Sequence, residues 1–68
     1  MKIEEAIVFS LAHNGHGMTT DQLADYINSQ KLHLRKDGNP VTSKQVYAVI
    51  CRHTDLFCKD GGRICLIM

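Results

Sequence analysis

Apolar side chains recur along this chain in two rhythms, a helical one through the first fifty or so positions and an alternating one in the last dozen. Ile3, Ile7 and Leu11 recur every four residues with Ala6 and Ser10 beside them, which predicts a first helix from Lys2 to His13. Asn14-Gly15 supplies a left-handed residue to end it, and His13 stands by the negative end of its dipole. Phe9 points about 200° away from Ile7. Either this helix is covered on two sides, or Phe9 belongs to a self-association or partner surface. Thr19 and Gln22 then have the spacing of a capping box that opens a second helix over about 20 to 30. It buries Leu23, Ala24, Tyr26 and Ile27 and turns Asp21, Asp25, Asn28 and Ser29 to water. Tyr26 reads as a core tyrosine with its hydroxyl at the rim rather than as a platform for stacking bases.

The stretch Val41 to Arg52, VTSKQVYAVICR, carries the clearest signals. Thr42 is a good N-cap with Gln45 three residues on, a second capping box, and Val41 and Val46 are placed to close the helix start as a hydrophobic staple. Val46, Val49, Ile50 and His53 share one face. The opposite face is centred on Lys44, Ala48 and Cys51 and flanked by Gln45, Tyr47 and Arg52. Two small residues on the middle line permit close approach, and the polar and cationic flanks reach around whatever is approached. A recognition helix has this form, and so does a helix that docks on protein.

Between the second and third helices, Leu32 and Leu34 alternate with Lys31, His33 and Arg35, which predicts an extended segment tacked to the core by its leucines. Asp37-Gly38-Asn39-Pro40 is a turn that delivers the chain to the third helix. After that helix Phe57 should plug the core, and Leu56 to Lys59 and Arg63 to Ile67 read as two strands around Asp60-Gly61-Gly62. A two-residue Asp-Gly turn would pair Phe57 with Ile64 on the inner face and Cys58 with Arg63 on the outer one, whereas a three-residue turn would pair them differently. The fold class is α+β, mainly α: a winged helix-turn-helix, three helices followed by a C-terminal β-hairpin wing, in a single domain over residues 1–68.

Composition narrows the function classes. A chain of 68 residues buries roughly 60% of its unfolded surface, so a catalytic cleft in addition to a core is a large demand. The net charge of +1 is unevenly spread. Before residue 31, Lys2 stands against Glu4, Glu5, Asp21 and Asp25. From there on, Lys31, Arg35, Lys36, Lys44, Arg52, Lys59 and Arg63 stand against Asp37, Asp55 and Asp60. A basic half in a near-neutral domain points toward a polyanion. No apolar run approaches the ~20 residues needed to span a bilayer, and the N-terminus lacks the pattern of a signal peptide. Three cysteines without that signal fit free thiols in a reducing compartment, so the expected location is cytoplasmic.

From Met18 to Leu66 the chain resembles the HARE-HTH module, a winged helix found in ASXL-type chromatin proteins, restriction endonucleases and other DNA-modifying or transcription-linked proteins. The resemblance rests on TTDQLADYI, RKDGNPVTSKQV and RHTDLFCKDGGRICL. Family members often carry prolines at the start of the third helix, where this chain has Thr42-Ser43. The resemblance implies a freestanding module that binds DNA or docks on chromatin or polymerase, without catalysis of its own.

The expected mechanism places the third helix in the major groove of double-stranded DNA. Lys44, Gln45 and Tyr47 are the expected base-edge or groove contacts, because glutamine can pair with adenine and lysine with guanine. Arg52, Lys59, Arg63, Arg35 and Lys36 would contact phosphates, and Ser43 would hold one at the positive helix start. The competing expectation is a protein-docking or homodimerising module that uses the exposed face of the third helix and the terminal strand, which could pair as an open edge with another copy. The sequence pI of about 7.8 favours docking, since DNA-binding domains commonly exceed 9.

No cofactor, small-molecule substrate, membrane partner or catalytic residue is expected. His13 and His16 straddle a glycine turn without a carboxylate or cysteine beside them. Cys51, Cys58 and Cys65 recur every seven residues without a CxxC anchor, so no metal site is expected. His53 reads as a satisfied core histidine. An adduct on Cys51 should block whatever the third helix binds.

Overall fold

The computed structural model describes residues 2–15 and 17–67. Three helices are followed by a two-stranded antiparallel hairpin: α1 (Ile3–Asn14), α2 (Thr20–Gln30), α3 (Ser43–Arg52), β1 (Phe57–Asp60) and β2 (Arg63–Leu66). The winged-helix layout expected from the apolar pattern is present.

Helix α1 starts where the Lys2 N–H donates to Glu5 Oε1 at 3.2 Å, and it stops at Gly15, whose φ of 75° lets its N–H donate to the Leu11 carbonyl. Ala6, Ile7, Ser10 and Leu11 are buried. Ser10 is accommodated because its hydroxyl donates back to the Ala6 carbonyl at 2.7 Å, leaving no orphaned polar group in the core. Phe9 is 44% exposed and stacks on His13 at 5.9 Å, so α1 is not sealed on two sides. Helix α2 closes its own start: the Gln22 N–H donates to Thr19 Oγ1 and the Thr19 N–H donates to Gln22 Oε1, both at 3.1 Å. It ends on Lys31 in the left-handed region at φ 52°. The inner faces of the helices, with Met18, Val41, Phe57 and Ile64, form one core.

The segment after α2 departs from the extended strip expected of it. Leu32 packs against the core, but Leu34 is 77% exposed, so one leucine rather than two tacks the segment down. A turn follows directly, closed where the Gly38 N–H donates to the Arg35 carbonyl at 3.1 Å, with Lys36 and Asp37 within it.

The hairpin register also differs from that of an Asp-Gly turn. Phe57 pairs with Leu66, Cys58 with Cys65, Lys59 with Ile64 and Asp60 with Arg63. The loop is Gly61-Gly62, both with positive φ (57° and 83°), as a two-residue turn matching strand twist demands. Glycine fills both left-handed positions without strain, so Asp60 is released into the strand. Moving the loop by one residue moves each partner by two. Side chains alternate with period two, so Phe57 and Ile64 keep the inner face, and Cys65 replaces Arg63 opposite Cys58.

The alternating pattern did not reveal a third strand segment. Met18 forms a β-bridge with Ile64, each N–H donating to the other's carbonyl at 3.1 and 2.7 Å. At Ile64, β2 is therefore paired on both sides, by β1 and by Met18, so the terminal strand expected as an open edge is covered at that one residue; Met68 lies outside the described residues. The approach is close at Gly17, where a Cβ would stand 2.9 Å from Cys65 Sγ, 3.2 Å from Arg63 Cβ and 3.3 Å from the Ile64 carbonyl oxygen, so a larger residue would displace the Cys65 side chain and press on the bridge.

Candidate nucleic-acid interface

The start of α3 is held from outside the helix. The Asn28 side chain on α2 donates to the Val41 carbonyl and accepts from the Val41 N–H, both at 2.9 Å. A side-chain amide thus pairs with one backbone unit in both directions, as a neighbouring strand would. Asn28 is accordingly half-buried, not solvated as expected. Val41 and Val46 are both buried, the staple the sequence predicts. Thr42 Oγ1 accepts from the Gln45 N–H at 3.2 Å. The reciprocal half of that capping box is not made: Gln45 Oε1 is buried without a hydrogen-bond partner. The Gln45 side chain instead lines a shallow depression of about 460 Å³ with His33, Leu34, Arg35, Lys36 and Asp37.

From this fixed start α3 divides cleanly. Val46, Val49 and Ile50 are buried, while Lys44, Tyr47, Ala48, Cys51 and Arg52 are exposed and Ser43 is half-exposed. No carboxylate occurs in the helix, SKQVYAVICR, and Arg52 stands in its last turn. His53 caps the helix half-buried: its N–H donates to the Val49 and Ile50 carbonyls, and its own carbonyl accepts from the Leu56 and Phe57 N–H groups. The hairpin is thereby fastened to the end of α3.

That attachment brings one wing residue onto the helix. Lys59 shares the inner hairpin face with Ile64, and its Nζ donates to the Tyr47 hydroxyl at 2.6 Å and lies 3.9 Å from the ring centroid. An exposed cation on an aromatic ring is worth about 0.5–1 kcal/mol, enough to bias both side chains toward one arrangement. Arg63 lies on the opposite face of the hairpin by strand alternation. It borders a second depression, of about 550 Å³, with Asn14, Gly17, Met18, Gln22, Asp25, Tyr26 and Ser29. The two wing cations expected to act together therefore face different ways, one toward α3 and one toward α2.

The loop cations also divide. Arg35 donates to Asp37 Oδ2 at 2.8 Å and to the Pro40 carbonyl at 3.3 Å, so its guanidinium braces the loop. The Asn39 N–H donates to Asp37 Oδ1 at 3.0 Å. That bond, with a smaller contribution from the Arg35 charge, holds the Asp37 carboxyl below its ordinary value of 3.8. Lys36 is exposed.

Of the nine residues read from the sequence as contacts, the structure gathers Tyr47 with Lys59, and Arg35 and Lys36 with Gln45. Arg63 stands apart from both groups. The residue that sequence reasoning missed is Asn28. Its partner is thirteen positions away, and no local pattern marks an asparagine that serves as a clamp. His13 lies between Phe9 and Tyr26, 6.1 Å from the Tyr26 ring, while His16 lies outside the described residues. Among the described residues no group of three or more metal-ligating side chains occurs. No helix among them is long and apolar enough to cross a membrane. Compared with family models, with curated proteins and with solved structures, the chain matches none.

Proposed function

We propose that this domain binds double-stranded DNA as a non-catalytic, cytoplasmic winged-helix module, with α3 entering the major groove. One observation carries the reading: the outward face of α3 is exposed, free of carboxylates and fastened at both ends, with a wing lysine docked on its central tyrosine. Lys44 and Tyr47 make the groove contacts, while Gln45 reaches the groove edge from the loop side. Arg52, Lys59, Lys36 and Ser43 meet backbone phosphates, and these contacts position the domain without reading sequence. Arg35 contributes mainly by holding the loop, and Arg63 reaches phosphate only where the duplex passes the outer hairpin face. The resemblance to the HARE-HTH module supports the same reading and its association with transcription or DNA modification.

The test is an amide NMR titration of the labelled domain with a mixed-sequence duplex at low and then moderate salt. Shifts at Lys44, Tyr47, Arg52 and Lys59 that fade as salt rises are expected, because released counterions drive such binding. Absence of shifts at low salt overturns the proposal for this domain.

A second reading has its own observation. Val8, Phe9 and Leu56 line a shallow apolar groove bordered by Glu4 and Glu5, and the half-exposed Ile67 donates its N–H to the Leu56 carbonyl. This apolar surface, added to the exposed Tyr47, Ala48 and Cys51, supports protein docking or homodimer formation. Concentration-dependent broadening at Phe9 and Leu56 without DNA would favour it.

A further inference from the structure

Cys58 and Cys65 stand directly opposite one another in the antiparallel ladder and share the outer face of the hairpin. All three cysteines are free, Cys58 being exposed and Cys65 half-buried. Directly opposed residues have Cα atoms about 4.5 or 5.5 Å apart, depending on their place in the hydrogen-bond ladder. A disulfide spans Cα separations of about 4.4–6.8 Å, so this backbone can carry one without unpairing the strands. The two thiols also differ in access. Cys65 sulfur packs over Gly17, where a Cβ would meet it at 2.9 Å, so one side of it is covered by backbone. Gly17 flanks β2 on the side away from β1, so reaching Cys58 takes a rotation of the Cys65 side chain. Glycine at 17 thus makes room for the thiol as well as for the Met18–Ile64 bridge.

We propose that Cys58 and Cys65 form a dithiol site for exchange with low-molecular-weight disulfides of the glutathione class, closing reversibly into a cross-strand disulfide that fixes the wing. The exposed Cys58 thiolate attacks one sulfur of the small disulfide. A mixed disulfide forms on Cys58, and one small thiol leaves after taking up a proton. The Cys65 thiolate then attacks the Cys58 sulfur and expels the second small thiol. Two protein thiols are oxidised to one disulfide, the small disulfide is reduced to two thiols, and no other oxidant is required. Cys51, on α3, has no cysteine opposite it and keeps any adduct it acquires. The bond closes beside Lys59, the residue docked on Tyr47, so oxidation restricts the part of the wing that lies against α3. The chemistry is independent of the nucleic-acid reading and can be followed without DNA.

The experiment incubates the whole chain with glutathione disulfide, followed by peptide mass mapping and counting of free thiols, before and after dithiothreitol. Expected are an internal link between the Cys58 and Cys65 peptides, glutathione retained only at Cys51, recovery of all three thiols on reduction, and a higher melting temperature when oxidised. In Cys65→Ser the adduct should accumulate on Cys58, since the second attack is lost. A stable glutathione adduct on Cys58 in the unaltered chain, with Cys65 free, overturns the proposal. So do cross-links between chains through Cys58, or failure of Cys58 to react where Cys51 does.

Discussion

Helices α2 and α3 begin with nearly the same four residues, Thr19-Thr-Asp-Gln22 and Thr42-Ser-Lys-Gln45, and they begin differently. The first is closed within itself, each partner satisfying a backbone N–H of the other. In the second only the threonine does so, and the glutamine amide oxygen is buried without a partner. The difference is imposed from outside the motif. The backbone before Thr42 is already fixed through Val41 by Asn28, and the Gln45 side chain faces the loop that follows α2. A capping sequence reports where a helix starts, whereas the donor and acceptor accounting at that start depends on what the preceding residues touch. In α3 the hold is shared between the threonine cap and a neighbouring helix, so the orientation of the proposed recognition helix is tied to α2.

Removing that tie should have the largest effect. Asn28→Ala leaves the Val41 N–H and carbonyl without their partner, and each loss costs about 1–3 kcal/mol where water cannot compensate. Asn28 is only half-buried, and alanine returns about 0.5 kcal/mol of helix propensity. A net loss of roughly 2 kcal/mol is therefore expected by urea denaturation, a large part of the few kcal/mol that hold a domain of this size. Asn28→Asp keeps the acceptor for the Val41 N–H but sets a carboxylate against the Val41 carbonyl, so it should fall between wild type and Asn28→Ala. If Asn28→Ala is neutral, α3 is held at its start by its own cap after all.

The helices and their faces were legible in the sequence because helix period, caps and burial are local. Val46, Val49 and Ile50 seal the core as their spacing requires, and Thr19 and Thr42 mark the first turns they cap. The site was less legible because its geometry comes from pairings across the chain. Nothing around Asn28 announces Val41. The parity that sends Lys59 to α3 and Arg63 to α2 was readable, but the partner across from Cys58 depended on which two residues made the turn. Arg35 looked like a free cation until Asp37, two positions on, turned back to meet it. Charge counted along a sequence overstates the charge available to a partner wherever short loops satisfy themselves.

A smaller test bears directly on the two capping boxes. Gln22→Ala deletes the acceptor of the Thr19 N–H and should cost about 0.5–1 kcal/mol, the usual worth of an exposed hydrogen bond of this kind. Gln45→Ala deletes no such bond and also removes a buried amide oxygen that has no partner, so it should be neutral or slightly stabilising. The measurement is the difference between the two denaturation midpoints. Equal losses would mean that Gln45 closes its box in solution and that the two helix starts are equivalent.

The smallest effect expected concerns the loop that Gln45 faces, and it is read locally. The Asn39 N–H and the Arg35 guanidinium favour the ionised form of Asp37, so its folded-state pKa lies below the ordinary 3.8. A carboxyl whose pKa is depressed by folding contributes stability that is fully present above the unfolded value and is lost as pH falls through the folded one. The loop should therefore keep its form through neutral and mildly acidic pH and loosen only below about 3.8. Because Asp37 lies in an exposed loop, the change should appear in the loop and not in global stability. The Asn39 amide resonance, followed by NMR as pH is lowered, should move with a midpoint below 3.8, and Asp37→Asn should abolish that transition. A midpoint at or above the ordinary carboxylate value would mean that neither the Asn39 N–H nor the Arg35 guanidinium engages Asp37, so that the loop does not hold Arg35 through this carboxylate.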